Sequence, residues 1–320
     1  MVSDSSVALT RRHALQAVGA TTLAALAGCS STTFSDDASP EYSLRIDSVD
    51  ASPVDHALYE PDADALFGDS ARTALDAILP DGRHTTYGYE PLPDDAYVEH
   101  EGAYYRTAHV VTGRETMDRT LVRVDPVPEA EVPEDALLID RLERPSARVL
   151  KILHSYTHTD GGTSTADLLR GDAYVLRRPA ELESRLGTGE LDGRIVTMTE
   201  SGTWAYRVDI TQERIVETAR TALAIDVARS REQFREVVFG SRIDADLAPD
   251  ALARDVSDLL ERTVARGTYS EPAPLSDTFE TLLDALGLGA VDTMANGRLL
   301  WYDGELYRYA LAVSERATAR

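Results

Sequence analysis

One cysteine, one lysine and one asparagine stand among 320 residues, and each scarcity removes a class of explanation. The lone thiol, Cys29, has no partner within the chain, so no internal disulfide supports the fold and stability rests on core burial. Lys151 is the sole lysine, and arginine supplies the rest of the 32 basic residues against 55 acidic ones, leaving a formal net charge of −23. No basic stripe exists to meet phosphates, which excludes a nucleic-acid-binding surface. Long apolar runs are also missing. The uncharged stretch from Ala14 to Gly28 falls short of the roughly 20 apolar residues that span a bilayer, and Gln16, Gly19, Thr21 and Thr22 interrupt it. Equally absent are Gly-x-Ser-x-Gly, Ser-x-x-Lys and dinucleotide glycine patterns, and Gly161-Gly162-Thr163-Ser164 lacks the lysine of a phosphate loop.

What the N-terminus does contain is an address. Arg11 and Arg12 precede the uncharged stretch, which closes on Leu26-Ala27-Gly28-Cys29. Paired arginine, a modestly hydrophobic core and a small-residue end form the layout of a secretory signal. The arginines resemble a twin-arginine export signal, although His13-Ala14-Leu15 departs from its aromatic-plus-leucine continuation. Leu-Ala-Gly-Cys resembles a lipobox, with Gly28 and Cys29 flanking the cut and Cys29 carrying the lipid. Together with the acidic composition, these residues resemble the haloarchaeal exported lipoproteins of unknown function. That resemblance implies a protein lipid-anchored on the outer face of the cytoplasmic membrane. Membrane lipid through Cys29 is then the expected partner, beside an unidentified extracellular protein or small-molecule ligand. The acids are spread through every segment instead of forming a tail, as expected of a surface suited to concentrated salt.

Residues 1–28 read as signal peptide and 29–41 as lipidated cysteine and Ser/Thr/Asp-rich tether. Beyond them, three segments place a Gly turn between strand-like runs, each with Tyr-Arg just after the turn: 97–107 around Gly102, 195–209 around Gly202 and 298–313 around Gly304. Helical apolar spacing precedes them at 71–79, 146–156 and 256–264, with further helices expected at 180–186, 215–226, 231–238 and 278–286. Residues 42–49 and 120–124 alternate like strands and are expected to extend the sheet of the first unit. The expected architecture is α+β, with repeated helix-plus-antiparallel-hairpin units at 42–130, 131–212 and 213–320, the last beginning with a helical connection.

Chemistry is sparse. His154 and His158, at i and i+4, share a helix face and with Asp160 form the pattern nearest a metal site for zinc or copper. The missing glutamate beside the first histidine and Gly161-Gly162 just beyond favour a polar loop instead. Glu99-His100-Glu101 falls in a turn, where a solvated reading outweighs acid–base work. Asp62/Asp64 and Asp244/Asp246 lack the loop glycine and distant glutamate of a calcium hand. Trp301, Tyr302, Tyr307 and Tyr309 read as cross-strand packing before they read as a ligand surface. No catalytic residue, metal or cofactor is therefore assigned. The expected protein is a non-catalytic scaffold or interaction domain; the alternatives are a solute-binding lipoprotein of a membrane transporter and, behind it, a surface hydrolase.

Overall fold

The computed structural model describes residues 39–62, 64–159, 168–201 and 203–315. The residues expected to form the signal, the lipobox and most of the tether, 1–38, lie outside them, as do Asp160 and Gly202. The described chain is α+β and gathers into two compact units, residues 57–237 and residues 39–56 with 238–315. No described helix is long and apolar enough to cross a membrane.

Strand β1 (Pro40–Val49) alternates buried Leu44 and Ile46 with exposed neighbours, and a short helix α1 (Pro53–Ala57) follows. Helix α2 (Gly68–Ile78) buries Ala71, Ala74 and Ile78 at helical spacing. Then come β2 (Arg83–Tyr87), β3 (Tyr97–His100) and β4 (Ala103–Val127), a strand of 25 residues. The β3–β4 turn holds Glu101 at φ 52° and Gly102 at φ 78°, the paired positive φ values that match a hairpin's twist. Strand β5 (Leu137–Leu138) leads to helix α3 (Arg144–His158), which has Pro145 in its first turn and buries Val149, Leu150 and Leu153. β6 (Leu169–Arg170), β7 (Ala173–Val175), the short α4 (Pro179–Leu182) and β8 (Ile195–Thr197) precede β9 (Ala205–Ala228). Last are α5 (Arg231–Ser241), β10 (Ala245–Leu247), α6 (Arg254–Arg266), β11 (Thr268–Pro272), α7 (Asp277–Ala285), β12 (Met294–Tyr302) and β13 (Glu305–Glu315). Gly267, at φ 77°, ends α6, and the Ser276 hydroxyl accepts the Phe279 N–H to start α7.

In the unit of residues 39–56 and 238–315 the sheet runs β10-β12-β13-β1-β11, antiparallel except where β10 lies parallel to β12. Leu44, Ile46, Leu260, Phe279, Leu282 and Tyr309 form its core with the inner faces of α6 and α7. In the unit of residues 57–237 the order is β5-β8-β9-β4-β7-β6, with β2 added to β9 and β3 to β4. Its spine is the antiparallel β4–β9 ladder, from Tyr104↔Ala228 to Val127↔Ala205, with register shifts at 104/105 and 111/113. Helix α3 covers one end of this sheet through Val149, Leu150 and Leu153, packed with Val122, Tyr174, Val196 and Val208.

Two expectations fail here. Residues 215–226 are not a helical connection but the second half of β9, paired throughout with β4 and from Ala219 to Leu223 also with β2. Ile215, Ala219 and Leu223 mislead because a spacing of four satisfies both a helical turn and the two-residue period of a strand. The burial of Ile215, Glu217, Ala219 and Thr221, with Val216 exposed, separates the two. Second, β1 does not extend the sheet of the first hairpin but pairs with β13 and β11. Alternation identifies a strand and its buried face but carries no information about its partner. The other expected strand, 120–124, is the far end of the same β4 that begins at the first hairpin. The helix expected at 180–186 is the shorter α4, ending at Leu182.

Candidate functional site

Residues from α3 and β9 meet on one hydroxyl. The apolar stripe that docks α3 on the sheet leaves His154 and His158 one turn apart on an adjoining face. Tyr206 enters from β9 between the buried Ala205 and Val208, itself 3% exposed. Its hydroxyl lies 2.7 Å from His154 Nδ1 and 3.0 Å from His158 Nε2. The imidazoles meet edge-on at 4.5 Å between centroids. Trp204, at φ 67° and half exposed, sets its indole edge-on to His158 at 4.2 Å and to His154 at 5.9 Å.

A phenol has one proton. With both imidazoles neutral, Tyr206 donates to one ring and accepts N–H from the other, so the cluster is satisfied by one donor in each direction. Burial holds the His154 imidazole below its ordinary value, and the neighbouring His158 pushes the same way once charged. Burial also pushes the Tyr206 phenol above its ordinary value. His154 is half-buried, His158 exposed and Tyr206 buried.

Two buried carboxylates elsewhere in the same unit are saturated by donors. Glu181, 1% exposed, accepts the Tyr174 hydroxyl at 2.7 Å and the backbone N–H groups of Arg177 and Arg178 at 3.0 Å each. The Arg178 guanidinium donates to it at 3.3 Å and lies 4.5 Å from the Phe67 ring. Burial first, then the Glu181 charge, pushes the Tyr174 phenol up to about 12. Glu217 accepts from Arg177 Nε at 2.8 Å, with Arg119 Nε at 3.4 Å. Such pairing fixes chain segments and commits both of these carboxylates to structural partners.

The remaining sequence-derived candidates disperse. Cys29, Arg11, Arg12, Gly28 and Asp160 lie outside the described residues, so of the His154/His158/Asp160 pattern only the imidazole pair can be placed. Glu99 and Glu101 are exposed and His100 half-buried; His100 and Glu101 line an open cleft of about 660 Å³ that also touches Arg83, Tyr105 and Arg229. Asp62 accepts the Asp64 backbone N–H at 2.8 Å as a local turn, and Asp244 accepts that of Leu299 at 2.9 Å. Tyr302, Tyr307 and Tyr309 are buried packing, and the Tyr309 hydroxyl is spent on the Leu286 carbonyl at 2.7 Å. One further convergence, Glu90, Asp94 and His109, was not visible in the sequence. It is satisfied on one side only: Asp94 accepts the His109 ring and backbone N–H at 2.7 and 3.0 Å and Glu90 pairs with Arg220, whereas His109 Nε2 is buried without a hydrogen-bond partner. Tyr206 and Trp204 were likewise missed as site residues. They sit 46 or more positions from the histidines, and only the recurrent Tyr-Arg after the turn had marked Tyr206. No protein-family model, no curated protein and no solved structure matches this chain.

Proposed function

We propose that this chain is a lipid-anchored, extracellular interaction scaffold of halophilic type, non-catalytic, built from three copies of one α+β unit. The observation that carries the reading is a repeated order of strand pairing. Around β12–β13, a short strand lies parallel to the first hairpin strand (Ala245↔Leu300), then follow α6, β11, α7 and the hairpin. Around β8–β9 the order is the same apart from one added short strand, β6: β5 (Leu137↔Val196, parallel), α3, β6, β7, α4 and the hairpin. Around β3–β4 it runs a parallel bridge Leu58↔Tyr97, α2, β2 and the hairpin.

In each case the second hairpin strand pairs with an additional strand that in turn pairs with the strand after the helix. That additional strand is β1 for the last copy, the far half of β4 for the middle one and the far half of β9 for the first. The first two copies therefore lend strands to each other. A frame of this kind presents strand edges and helix faces, whereas its buried carboxylates are committed to internal pairs, which supports a binding surface over a catalyst.

The anchor rests on Arg11, Arg12 and the Leu26-Ala27-Gly28-Cys29 ending, and the salt adaptation on the charge of −23. Two measurements test the reading. Mass spectrometry of membrane-associated protein is expected to find a mature N-terminus at a lipid-modified Cys29; a mature chain beginning elsewhere refutes the anchor. A thermal-shift panel of sugars, amino acids, oligopeptides and inorganic anions in molar KCl is expected to leave the melting temperature unmoved. A saturable shift with one of them would replace the scaffold by a solute-binding lipoprotein.

A further inference from the structure

Two imidazole nitrogens and one buried phenol oxygen, contributed by two different elements, converge at hydrogen-bond distance, with the His158 ring exposed. We propose that His154 Nδ1, His158 Nε2 and Tyr206 Oη form a binding site for a divalent transition-metal ion, with copper(II) as the ion of best fit. The argument is first one of spacing. Donors about 2.0 Å from a metal stand ~2.8 Å apart when they are cis in a tetragonal copper site and ~3.3 Å apart at tetrahedral zinc. The observed separations from the phenol oxygen, 2.7 and 3.0 Å, fall around the first value. The phenol oxygen already stands at coordination distance from both nitrogens, and the exposed His158 ring has room to turn toward a shared ion.

Donor chemistry points the same way. Imidazole with anionic oxygen suits copper and zinc over magnesium or calcium, and copper(II) leads the affinity order for any N/O set. An i, i+4 pair on a helix that is docked by buried Val149, Leu150 and Leu153 is held rigidly before any ion arrives. Burial lowers the basicity of His154, which favours the neutral imidazole that a metal needs. Metal binding replaces the hydroxyl's hydrogen bonds: the phenol proton goes to solvent, leaving phenolate bound to the ion, and the imidazole that had donated its N–H to the hydroxyl shifts that proton through solvent to its other ring nitrogen, so one proton is released in all. No oxidation or reduction is involved. Trp204, edge-on to both rings, is placed to report occupancy, because a paramagnetic ion this close quenches indole fluorescence.

The test uses the full-length Cys29→Ser chain in molar KCl, so that no thiol contributes, titrated with copper(II) alone. Expected are one tight equivalent per chain, quenching of the Trp204 emission and a phenolate-to-copper charge-transfer band in the visible. Tyr206→Phe is expected to abolish that band while retaining weaker binding. His158→Gln, an exposed change that preserves the fold as judged by an unchanged metal-free melting temperature, is expected to weaken binding ~10- to 100-fold. Binding that is multiple and weak, insensitive to both substitutions, means adventitious capture by surface carboxylates and overturns the proposal. A visible band that survives Tyr206→Phe overturns it as well.

Discussion

Removing the Glu181 carboxylate is the most direct probe of what holds residues 57–237 together. This side chain is 1% exposed and is the common acceptor for the Tyr174 hydroxyl, two backbone N–H groups and the Arg178 guanidinium. Glu181→Ala leaves the two amides and the phenol without an acceptor, at about 1–3 kcal/mol for each that water cannot reach. It also strands Arg178, 16% exposed in its side chain, beside a vacated anion position. Breaking a buried pair from one side costs about 3–5 kcal/mol, and the two accounts describe the same loss from different ends. The expected total is therefore about 4 kcal/mol and not their sum. Glu181→Gln keeps one carbonyl oxygen and the side-chain volume, and its loss should be near half as large. The assay is urea unfolding in molar KCl, followed by far-UV circular dichroism and by Trp204 emission in a Trp301→Phe background. Glu99→Ala, at an exposed position, serves as the control and should stay within about 0.5 kcal/mol. A loss below about 1 kcal/mol for Glu181→Ala, at an unchanged m-value, would refute the claim that this carboxylate organises the unit.

Two further outcomes follow from charge and from the corrected strand. Stability should rise from ~0.1 M to multimolar KCl as the Debye length contracts from about 10 Å to under 3 Å around a chain of net charge −23; a melting temperature flat or falling over that range excludes salt adaptation. Adjacent residues on β9 should behave oppositely. Ile215→Ala, at 3% exposure, should cost about 2–4 kcal/mol. Val216→Ala, at 58% exposure, should stay within about 0.5 kcal/mol. Equal effects at both positions in urea unfolding would contradict the alternating face.

Much of the local structure was legible because it depends on short-range rules. The acidic-residue-Gly turns at Glu101-Gly102 and Asp303-Gly304 both realise the paired positive φ that their chemistry favours. Helices α2, α3, α6 and α7 lie where apolar residues recur at helical spacing. The candidate site was half legible. The i, i+4 imidazoles are a local pattern, but their common partner Tyr206 comes from a strand that meets α3 only through packing of the sheet.

By itself, then, the sequence determined the acidic character, the dependence on a core without disulfides, the turns and most helices, since composition and local backbone chemistry act over a few residues. Only the tertiary structure decided which strands pair. Residues 215–226 became strand because β4 and β2 offered backbone partners on either side, an energy no local window contains. For the same reason β1 lies against β13, some 260 residues further along, and Tyr206 meets His154 across a gap of 52: strand pairing and side-chain packing are contacts in space, and sequence distance does not limit them.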